Sequence, residues 1–178
     1  MKGMQEAVNR IRQAVANQEK FLVHGDYDVD GVTAAAIVAN TLSILGADFF
    51  TFLPERKRDG YGVNENAIRD FSKKGASLLI TVDCGITAHS QIECARSLNM
   101  DVIVIDHHRI PAEGIPRATV ILNPQQEDCP YAFKELSAAG LAFKLAQALI
   151  GEEAFQFLDL AALSTVADIA PLAGENRI

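Results

Sequence analysis

The amino-acid sequence predicts an α/β fold: a mostly parallel sheet of about five strands, with helices on both faces and a helical C-terminal part. Two observations favour it. Short apolar runs alternate with amphipathic stretches over most of the chain, which is typical of strand–helix–strand units with parallel strands. From about residue 137 onward the apolar residues recur at helical spacing instead, which predicts packed helices.

The elements can be placed in order along the chain. Residues 1–20 alternate apolar and charged side chains at helical spacing. Strands are expected at the short apolar runs Phe21–Val23, Phe49–Leu53, Leu78–Val82, Val102–Ile105 and Val120–Leu122. Helices are expected at Val32–Leu45, Asn64–Lys74, Ala88–Leu98 and, with a break near Gly151, at Ser137–Val166.

The composition narrows the class of protein. The 178 residues fit one compact domain with a substantial core. No apolar run approaches the roughly 20 residues of a membrane span, and the N-terminus lacks a signal-peptide core, so no membrane partner is expected. The three cysteines, an odd number without CxxC spacing, are typical of reduced thiols and predict a cytoplasmic protein.

The charge balance leaves the partner open. With 23 acidic against 16 basic residues the net charge is −7, whereas nucleic-acid binders usually present a basic face. Bound cations reverse the local field, so this objection weakens if several carboxylates are metal ligands.

Acidic residues and histidines follow three of the predicted strands. The clusters are His24–Gly31, Asp83–Gly85 and Asp106–His108, and they hold three of the four histidines in the chain. In open parallel sheets, ligands bind beyond the carboxyl ends of the strands. We therefore expect the three clusters to face one crevice and to form a metal-dependent site.

The first cluster places His24, Asp26, Asp28 and Asp30 at every second position. If the strand conformation continues through them, these side chains share a face, and cations are needed to balance their charges. The alternative is that Asp30 only caps the helix that follows, with the other acids solvated in a turn.

The other two clusters each place an acid at the end of a buried strand. Asp83 directly follows an apolar run, where a carboxylate is costly unless it is paired or bound to a metal. In Asp106-His107-His108 the two histidines point in opposite directions on an extended chain, so one can bind a metal while the other meets substrate. Arg109 is a candidate for bidentate phosphate binding, or a solvated loop residue.

These clusters resemble the ordered motifs of the DHH phosphoesterase superfamily. The matching residues are His24-x-x-x-Asp28-x-Asp30-Gly31, Asp83, Asp106-His107-His108, and Asp168 within Ser164–Leu172. The resemblance implies two metal sites with a shared carboxylate, whose ligands would be His24, Asp28 and Asp83 in one site and Asp30, Asp83, His107 and Asp168 in the other. It also implies that Asp26 lies close by, behind the ligands or as an alternate ligand, and that His108 faces the scissile phosphate rather than a metal. Arg109 is the further candidate for neutralising that phosphate.

Within the superfamily the chain resembles the RecJ branch. The segments that carry this resemblance are His24–Thr33, Arg58–Gly62, Leu122–Pro124 and Asp128–Tyr131. It covers nearly the whole chain, and Ser164 is among the few departures, at a position where glycine is commoner. Since RecJ proteins continue into a DHH-associated domain and a nucleic-acid-binding barrel, residues 1–178 are expected to be a single DHH catalytic domain, helical from about residue 137, with both further domains absent.

The predicted ligand set is mostly carboxylate with some imidazole. It suits two Mn²⁺ ions, with Mg²⁺ or Zn²⁺ as the alternative, and two such ions would activate water for in-line hydrolysis of a phosphodiester. The resemblance implies 5′ to 3′ degradation of single-stranded DNA in recombination and repair, with repair or replication proteins as further partners. A basic segment lies close to an aromatic residue in the sequence: Arg56, Lys57, Arg58 and Tyr61. It offers a stacking face beside basic groups for a single strand, or it is a solvated charged loop.

Two other functions are compatible with these features. Hydrolysis of small phosphoesters, such as short oligonucleotides, cyclic dinucleotides or pyrophosphate, would use the same metal centre. A non-catalytic replication scaffold would not need it, and the intact ligand positions count against that interpretation. A dinucleotide-binding domain is disfavoured because no G-x-G-x-x-G follows the first strand.

Overall fold

The computed structural model describes residues 1–57, 60 and 62–177. Five parallel strands form one sheet in the order β2-β1-β3-β4-β5. The strands are β1 (Lys20–Gly25), β2 (Asp48–Phe52), β3 (Ala76–Val82), β4 (Asp101–Ile105) and β5 (Val120–Leu122). The helices are α1 (Met4–Ala16), α2 (Val29–Ile44), α3 (Glu65–Lys73), α4 (His89–Ser97), α5 (Ala138–Ile150) and α6 (Leu158–Ala167), with 3₁₀ segments at Gly151–Phe157 and Gly174–Arg177.

Helices cover both faces of the sheet, because the side chains of each strand alternate between the two faces. On one face, α1, α2 and α5 pack against strand residues such as Phe21, Ile80 and Ile103. On the other face, Ile68 of α3 and Ile92 of α4 pack against the alternate strand residues. The predicted α/β class is therefore confirmed, as are the five strands and the helical C-terminal part.

The direction of the chain through the sheet reverses between β1 and β3. From β1 the chain crosses to β2 at one edge, and it then returns to β3 on the other side of β1. The connections that leave β1 and β3 therefore diverge, and a crevice opens at the carboxyl ends of these strands. Asp26 and Asp83 are the first residues beyond the two strands, so the topology places them at this crevice.

The chain turns sharply where β1 ends. The strand stops at Gly25 and α2 begins at Val29 rather than at Val32. A Cβ atom on Gly31 would lie 2.6 Å from the backbone nitrogen of Asp26, so this close approach requires glycine. The expectation that the alternating acids of the first cluster continue one strand face is wrong, since Asp26 and Asp28 lie between β1 and α2 and Asp30 lies in the first turn of α2.

The C-terminal part packs as helices around the same core. Helix α5 starts after Ser137, whose side chain accepts a hydrogen bond from the Gly140 N–H, and it stops at Gly151, where φ is +63°. The break predicted at this glycine is confirmed. Within the described ranges, no helix has the length and apolar character that crossing a membrane requires.

Candidate metal centre

Side chains from four separate segments converge at the carboxyl edge of the sheet. His107 Nε2 lies 3.3 Å from Asp83 Oδ1 and 3.5 Å from Asp30 Oδ2, and His107 Nδ1 lies 3.8 Å from Asp168 Oδ2. The residues come from the ends of β3 and β4, the first turn of α2 and the end of α6. The structure thus brings together the four ligands predicted for the second metal site.

Asp83 is held in a conformation that an aspartate rarely adopts. Its φ is +59°, in the left-handed region, while its backbone N–H donates to the carbonyl oxygen of Ile105 at 2.9 Å. The side chain is buried, and Oδ1 makes no hydrogen bond to any residue that the structure describes, because His107 Nε2, 3.3 Å away, does not have hydrogen-bond geometry toward it. A strained backbone that presents an unsatisfied buried carboxylate oxygen is typical of a ligand position.

The electrostatics of Asp83 agree with this geometry. Burial raises the pKa of its carboxyl to about 7, and the negative charges of Asp30 and Asp28 add to the effect although His107 opposes it. Burial favours the neutral form of His107, but the neighbouring Asp83 and Asp30 outweigh this effect, so the pKa of His107 is raised overall. The cluster therefore holds more negative charge than it can neutralise, which a bound divalent cation would correct.

Asp30 is buried in the first turn of α2 and does not cap that helix. The cap is Asp28, whose Oδ1 accepts a hydrogen bond from the Gly31 N–H at 2.9 Å. The Asp30 carboxylate instead accepts hydrogen bonds from the backbone N–H groups of Ala138 and Ala139, both at 2.8 Å. It therefore lies at the N-terminal end of α5, where it accepts two of the N–H groups that have no partner within the helix.

Oxygen and nitrogen atoms of these residues form three groups that could hold a cation, with the ligand atoms of each group within 4.8 Å of one another. The groups are Asp30, His107 and Asp168; Asp26, Asp28 and Asp83; and Asp83, His107 and His108. The first two correspond to the two predicted sites, with Asp26 in the place expected for His24. The mixture of carboxylate and imidazole fits Mn²⁺ or a similar divalent ion.

His24 is buried beneath this crevice and lies outside the three groups found among the described residues. Its Nε2 accepts a hydrogen bond from the Asn64 N–H at 3.0 Å, and its Nδ1 lies 3.9 Å from Cys84 Sγ. Burial lowers the pKa of the ring to about 4, so it is neutral. The role of His24 as a metal ligand stays a prediction from the family resemblance.

Asp106 and His108 form a pair beside the metal cluster. Asp106 Oδ1 lies 2.7 Å from His108 Nδ1 and also accepts from the His108 backbone N–H, while Oδ2 accepts from the Ile86 N–H. The hydrogen bond to Asp106 raises the pKa of His108 to about 9. Burial opposes ionisation of Asp106, but these donors outweigh it and lower its pKa. The half-exposed imidazolium is therefore charged and oriented at neutral pH.

Among the described residues, two openings lead to the cluster. A cavity of about 130 Å³ is lined by Asp28, Val29, Asp30, Ala167 and Asp168. A larger cleft of about 260 Å³ lies on the side of His108 and is lined by Gly62, Val63, Cys84, Gly85, Ile86, Thr87, Ala88, Gln91, Asp106 and His108. The first opening thus leads to Asp28, Asp30 and Asp168, and the second leads to the pair formed by Asp106 and His108.

The other predicted site residues lie further out. Arg109 is exposed next to His108, and Lys57 is exposed in the loop after β2. The guanidinium of Arg56 lies 5.5 Å from the ring centre of Tyr27, so one basic group reaches the turn that carries Asp26 and Asp28. Arg58 and Tyr61 lie outside the described residues.

Sequence reasoning missed three groups that hold the site in place. Ser164 and Ser137 lie behind Asp30, and the Ser164 hydroxyl donates to Asp30 Oδ1 at 2.6 Å. Asn123, directly after β5, donates from Nδ2 to the carbonyl oxygen of His108 at 2.9 Å. The position of Asn123 at a strand end was a signal that could have identified it. No sequence pattern marks Ser164 as a partner of Asp30, or Ser137 as a partner of Ser164.

Relatives with curated descriptions match the whole chain. The single-stranded-DNA-specific exonuclease RecJ of Bacillus subtilis strain 168 is 48% identical over 178 residues, which is 100% of this chain and 22% of that protein. The protein of the same description from Escherichia coli K12 is 37% identical over 194 aligned residues, which is 100% of this chain and 33% of that protein.

Solved structures show the same fold. The crystal structure of exonuclease RecJ bound to manganese matches with a TM-score of 0.89 and 37% identity, over 99% of this chain and 46% of that one. RecJ from Thermus thermophilus in complex with Mn²⁺ matches with a TM-score of 0.82 and 35% identity, over 99% of this chain and 26% of that one. The chain thus spans less than half the length of these relatives.

The chain also matches a protein-family model. The DHH family, N-terminal domain, matches residues 20–167, a range that begins with β1 and ends with α6 and holds all the candidate ligands except Asp168. The chain belongs to the DHH family and contains the N-terminal domain of that family.

Proposed function

We propose that this domain is the catalytic unit of a metal-dependent phosphodiesterase that degrades single-stranded DNA in the 5′ to 3′ direction. The observation that carries the proposal is the buried, unsatisfied Oδ1 of Asp83, which lies where two groups of candidate ligands meet. Such a carboxylate is costly to bury unless a cation completes it. The similarity over the whole chain to RecJ exonucleases supports the choice of substrate and of polarity.

The proposed cofactor is a pair of Mn²⁺ ions, with Mg²⁺ as the alternative. Asp30, His107 and Asp168 would hold one ion, Asp26 and Asp28 the other, and Asp83 both. His24 would join the second ion only after releasing its hydrogen bond from the Asn64 N–H. When bound, the ions would supply an activated water and stabilise charge on the attacking and leaving oxygens.

The residues around the metal cluster would bind and orient the phosphodiester. His108 is charged at neutral pH because Asp106 holds its proton on Nδ1, so its other ring nitrogen can donate to a phosphate oxygen. Arg56, which lies against the Tyr27 ring, would neutralise a neighbouring phosphate. Although the net charge of the chain is −7, these two cations place positive charge locally where a polyanion must approach.

We further propose that the protein works in the cytoplasm, in DNA recombination and repair. The three cysteines are all free and buried, which suits a reducing compartment. The proposed substrate, single-stranded DNA, supports the assignment to repair, a process in which repair or replication proteins would be its partners.

Metal content and substrate preference test this proposal together. The purified chain should take up Mn²⁺ after chelation and dialysis, and with Mn²⁺ it should release nucleotides from 5′-phosphorylated single strands but not from duplexes. Asp83→Ala should lose nearly all activity at any Mn²⁺ concentration, whereas Asp48→Ala, at an exposed position on β2, should be unaffected. More than a few per cent of activity in Asp83→Ala would refute the shared-ligand role, and a strong preference for dinucleotides would favour a small-substrate phosphoesterase instead.

A further inference from the structure

The two oxygens of the Asp30 carboxylate have different surroundings. Oδ1 accepts two hydrogen bonds, from the Ala139 N–H at 2.8 Å and from the Ser164 hydroxyl at 2.6 Å. Oδ2 accepts one, from the Ala138 N–H at 2.8 Å. Since a carboxylate oxygen has two strong acceptor positions, Oδ1 is saturated and Oδ2 has one position left.

The free position of Oδ2 faces the metal cluster. Oδ2 lies 3.5 Å from His107 Nε2, and it is therefore the Asp30 oxygen that a cation shared with His107 would meet. A cation that approached Oδ1 would have to displace one of its two donors. Asp30 is thus prepared to bind through a single oxygen.

A second serine fixes the direction of the Ser164 proton. Ser137 Oγ accepts from the Gly140 N–H at 3.2 Å and lies 2.7 Å from Ser164 Oγ, and both hydroxyl groups are fully buried. A hydroxyl has one proton, and an ionised Asp30 can only accept. The Ser164 proton therefore goes to Asp30, and the Ser137 proton goes to Ser164. This chain of donors leaves Ser164 no other arrangement.

We propose that Ser164, held by Ser137, is a positioning residue that restricts Asp30 to one-oxygen coordination and thereby favours Mn²⁺ and Mg²⁺ over Ca²⁺. This inference rests on the proposed metal-dependent function. Mg²⁺ requires near-ideal six-fold geometry, whereas Ca²⁺ accepts six to eight oxygens and often takes both oxygens of a carboxylate. A carboxylate with one oxygen occupied by fixed donors matches the smaller ions.

Competition between metals tests the proposal without any activity measurement. Free Mn²⁺ is followed by its electron paramagnetic resonance signal while the metal-free chain is titrated with Mn²⁺, and Ca²⁺ is then added as competitor. In Ser164→Ala we expect the Mn²⁺ affinity to fall about tenfold, the usual effect of losing a group that orients a ligand. The Ca²⁺ affinity should fall less or rise, so the preference for Mn²⁺ over Ca²⁺ shrinks.

The matched control is Thr165→Val. The Thr165 hydroxyl is also buried on α6, but it donates to the Ala161 carbonyl oxygen within its own helix at 2.7 Å. Its loss should leave both affinities unchanged. If Ser164→Ala does not fold, Ser164→Cys keeps the shape with a weaker donor and should shift the preference in the same direction.

Three outcomes overturn parts of the reasoning, and they are distinct. If Ser164→Ala weakens Mn²⁺ and Ca²⁺ by the same factor, the serine has only a structural role and the proposal fails. If neither affinity changes, the proposal also fails. If the unaltered chain binds no Mn²⁺ at all, the proposed function fails first, and the role of Ser164 falls with it.

Discussion

Replacing Asp83 with asparagine should stabilise the metal-free protein at alkaline pH and, at the same time, abolish its stabilisation by Mn²⁺. Asparagine keeps the shape of the side chain and tolerates the left-handed backbone at this position. The substitution removes the buried negative charge beside Asp30 and Asp28 that raises the pKa of Asp83 to about 7. In the absence of a cation, that charge opposes folding.

The size of the effect follows from the pKa difference. The native state keeps a proton on Asp83 that the unfolded chain, with a pKa near 3.8, has already lost. The contribution of the Asp83 carboxyl to the free energy of unfolding is therefore complete below pH 3.8 and is lost as the pH rises through about 7. Between pH 5 and pH 7 the loss is about 1.4 kcal/mol per unit, or about 3 kcal/mol in total. The asparagine variant has no such loss.

Urea denaturation in EDTA at pH 5 and at pH 8 measures this difference. The free energy of unfolding of Asp83→Asn minus that of the unaltered chain should increase by about 3 kcal/mol between the two pH values. Mn²⁺ at a hundred times its dissociation constant should then stabilise the unaltered chain by about 2.7 kcal/mol and leave the variant unchanged. The reasoning is refuted if both proteins show the same pH dependence in EDTA.

Asp106→Asn is the matched control for this experiment. Asp106 is equally buried at the end of the neighbouring strand, but its carboxylate accepts from the Ile86 N–H and from two donors of His108. Its pKa is lowered, so the same substitution should destabilise the protein.

Three further predictions concern the surroundings of the site. His108→Gln should reduce the hydrolysis rate without changing Mn²⁺ affinity, and the rate of the unaltered protein should fall as the pH rises through about 9, where His108 loses its proton; equal pH profiles for both would contradict this. Gly85→Ala should cost about 3 kcal/mol of stability in urea denaturation, because φ is +116° and the added Cβ would lie 2.5 Å from Thr81 Oγ1. Arg10→Met should cost about 2 kcal/mol, since the mostly buried Arg10 side chain pairs with Glu19 at 2.6 Å and with Asp101 at 2.7 Å; an unchanged unfolding midpoint would show that these pairs contribute nothing.

Most of the fold could be predicted because four of the five described strands hold short apolar runs that become buried on both faces. Ile103 and Val104, for example, are adjacent in sequence and point to opposite cores, yet both are fully buried. The bounds of helices were less accurate where tertiary contacts decide them. Helix α2 starts at Val29 because Asp28 caps it, whereas Asp30 was the cap considered from the sequence.

The site was predictable to the extent that it lies at strand ends. Asp83 and Asp106 directly follow buried strands, and topology alone brings such residues to one edge. The contact between His24 and the Asn64 N–H was not predictable, since it joins the end of β1 to the N-cap residue of α3, and helical periodicity does not identify which buried side chain meets that N–H. The donors of Asp30 come from residues more than a hundred positions away, and buried serines carry no pattern that identifies their partners.

Three of the four buried carboxylates at this edge, Asp30, Asp83 and Asp106, differ in how far the protein satisfies them. Asp30 receives three hydrogen bonds from α5 and Ser164, and Asp106 receives three from Ile86 and His108. Asp83 alone among them has a buried oxygen that no described residue satisfies, on a strained backbone. The protein's own donors therefore satisfy Asp30 and Asp106, whereas the buried negative charge of Asp83 is left uncompensated. A cation that binds at Asp83 would compensate this buried charge. The same charge therefore destabilises the metal-free protein and favours metal binding.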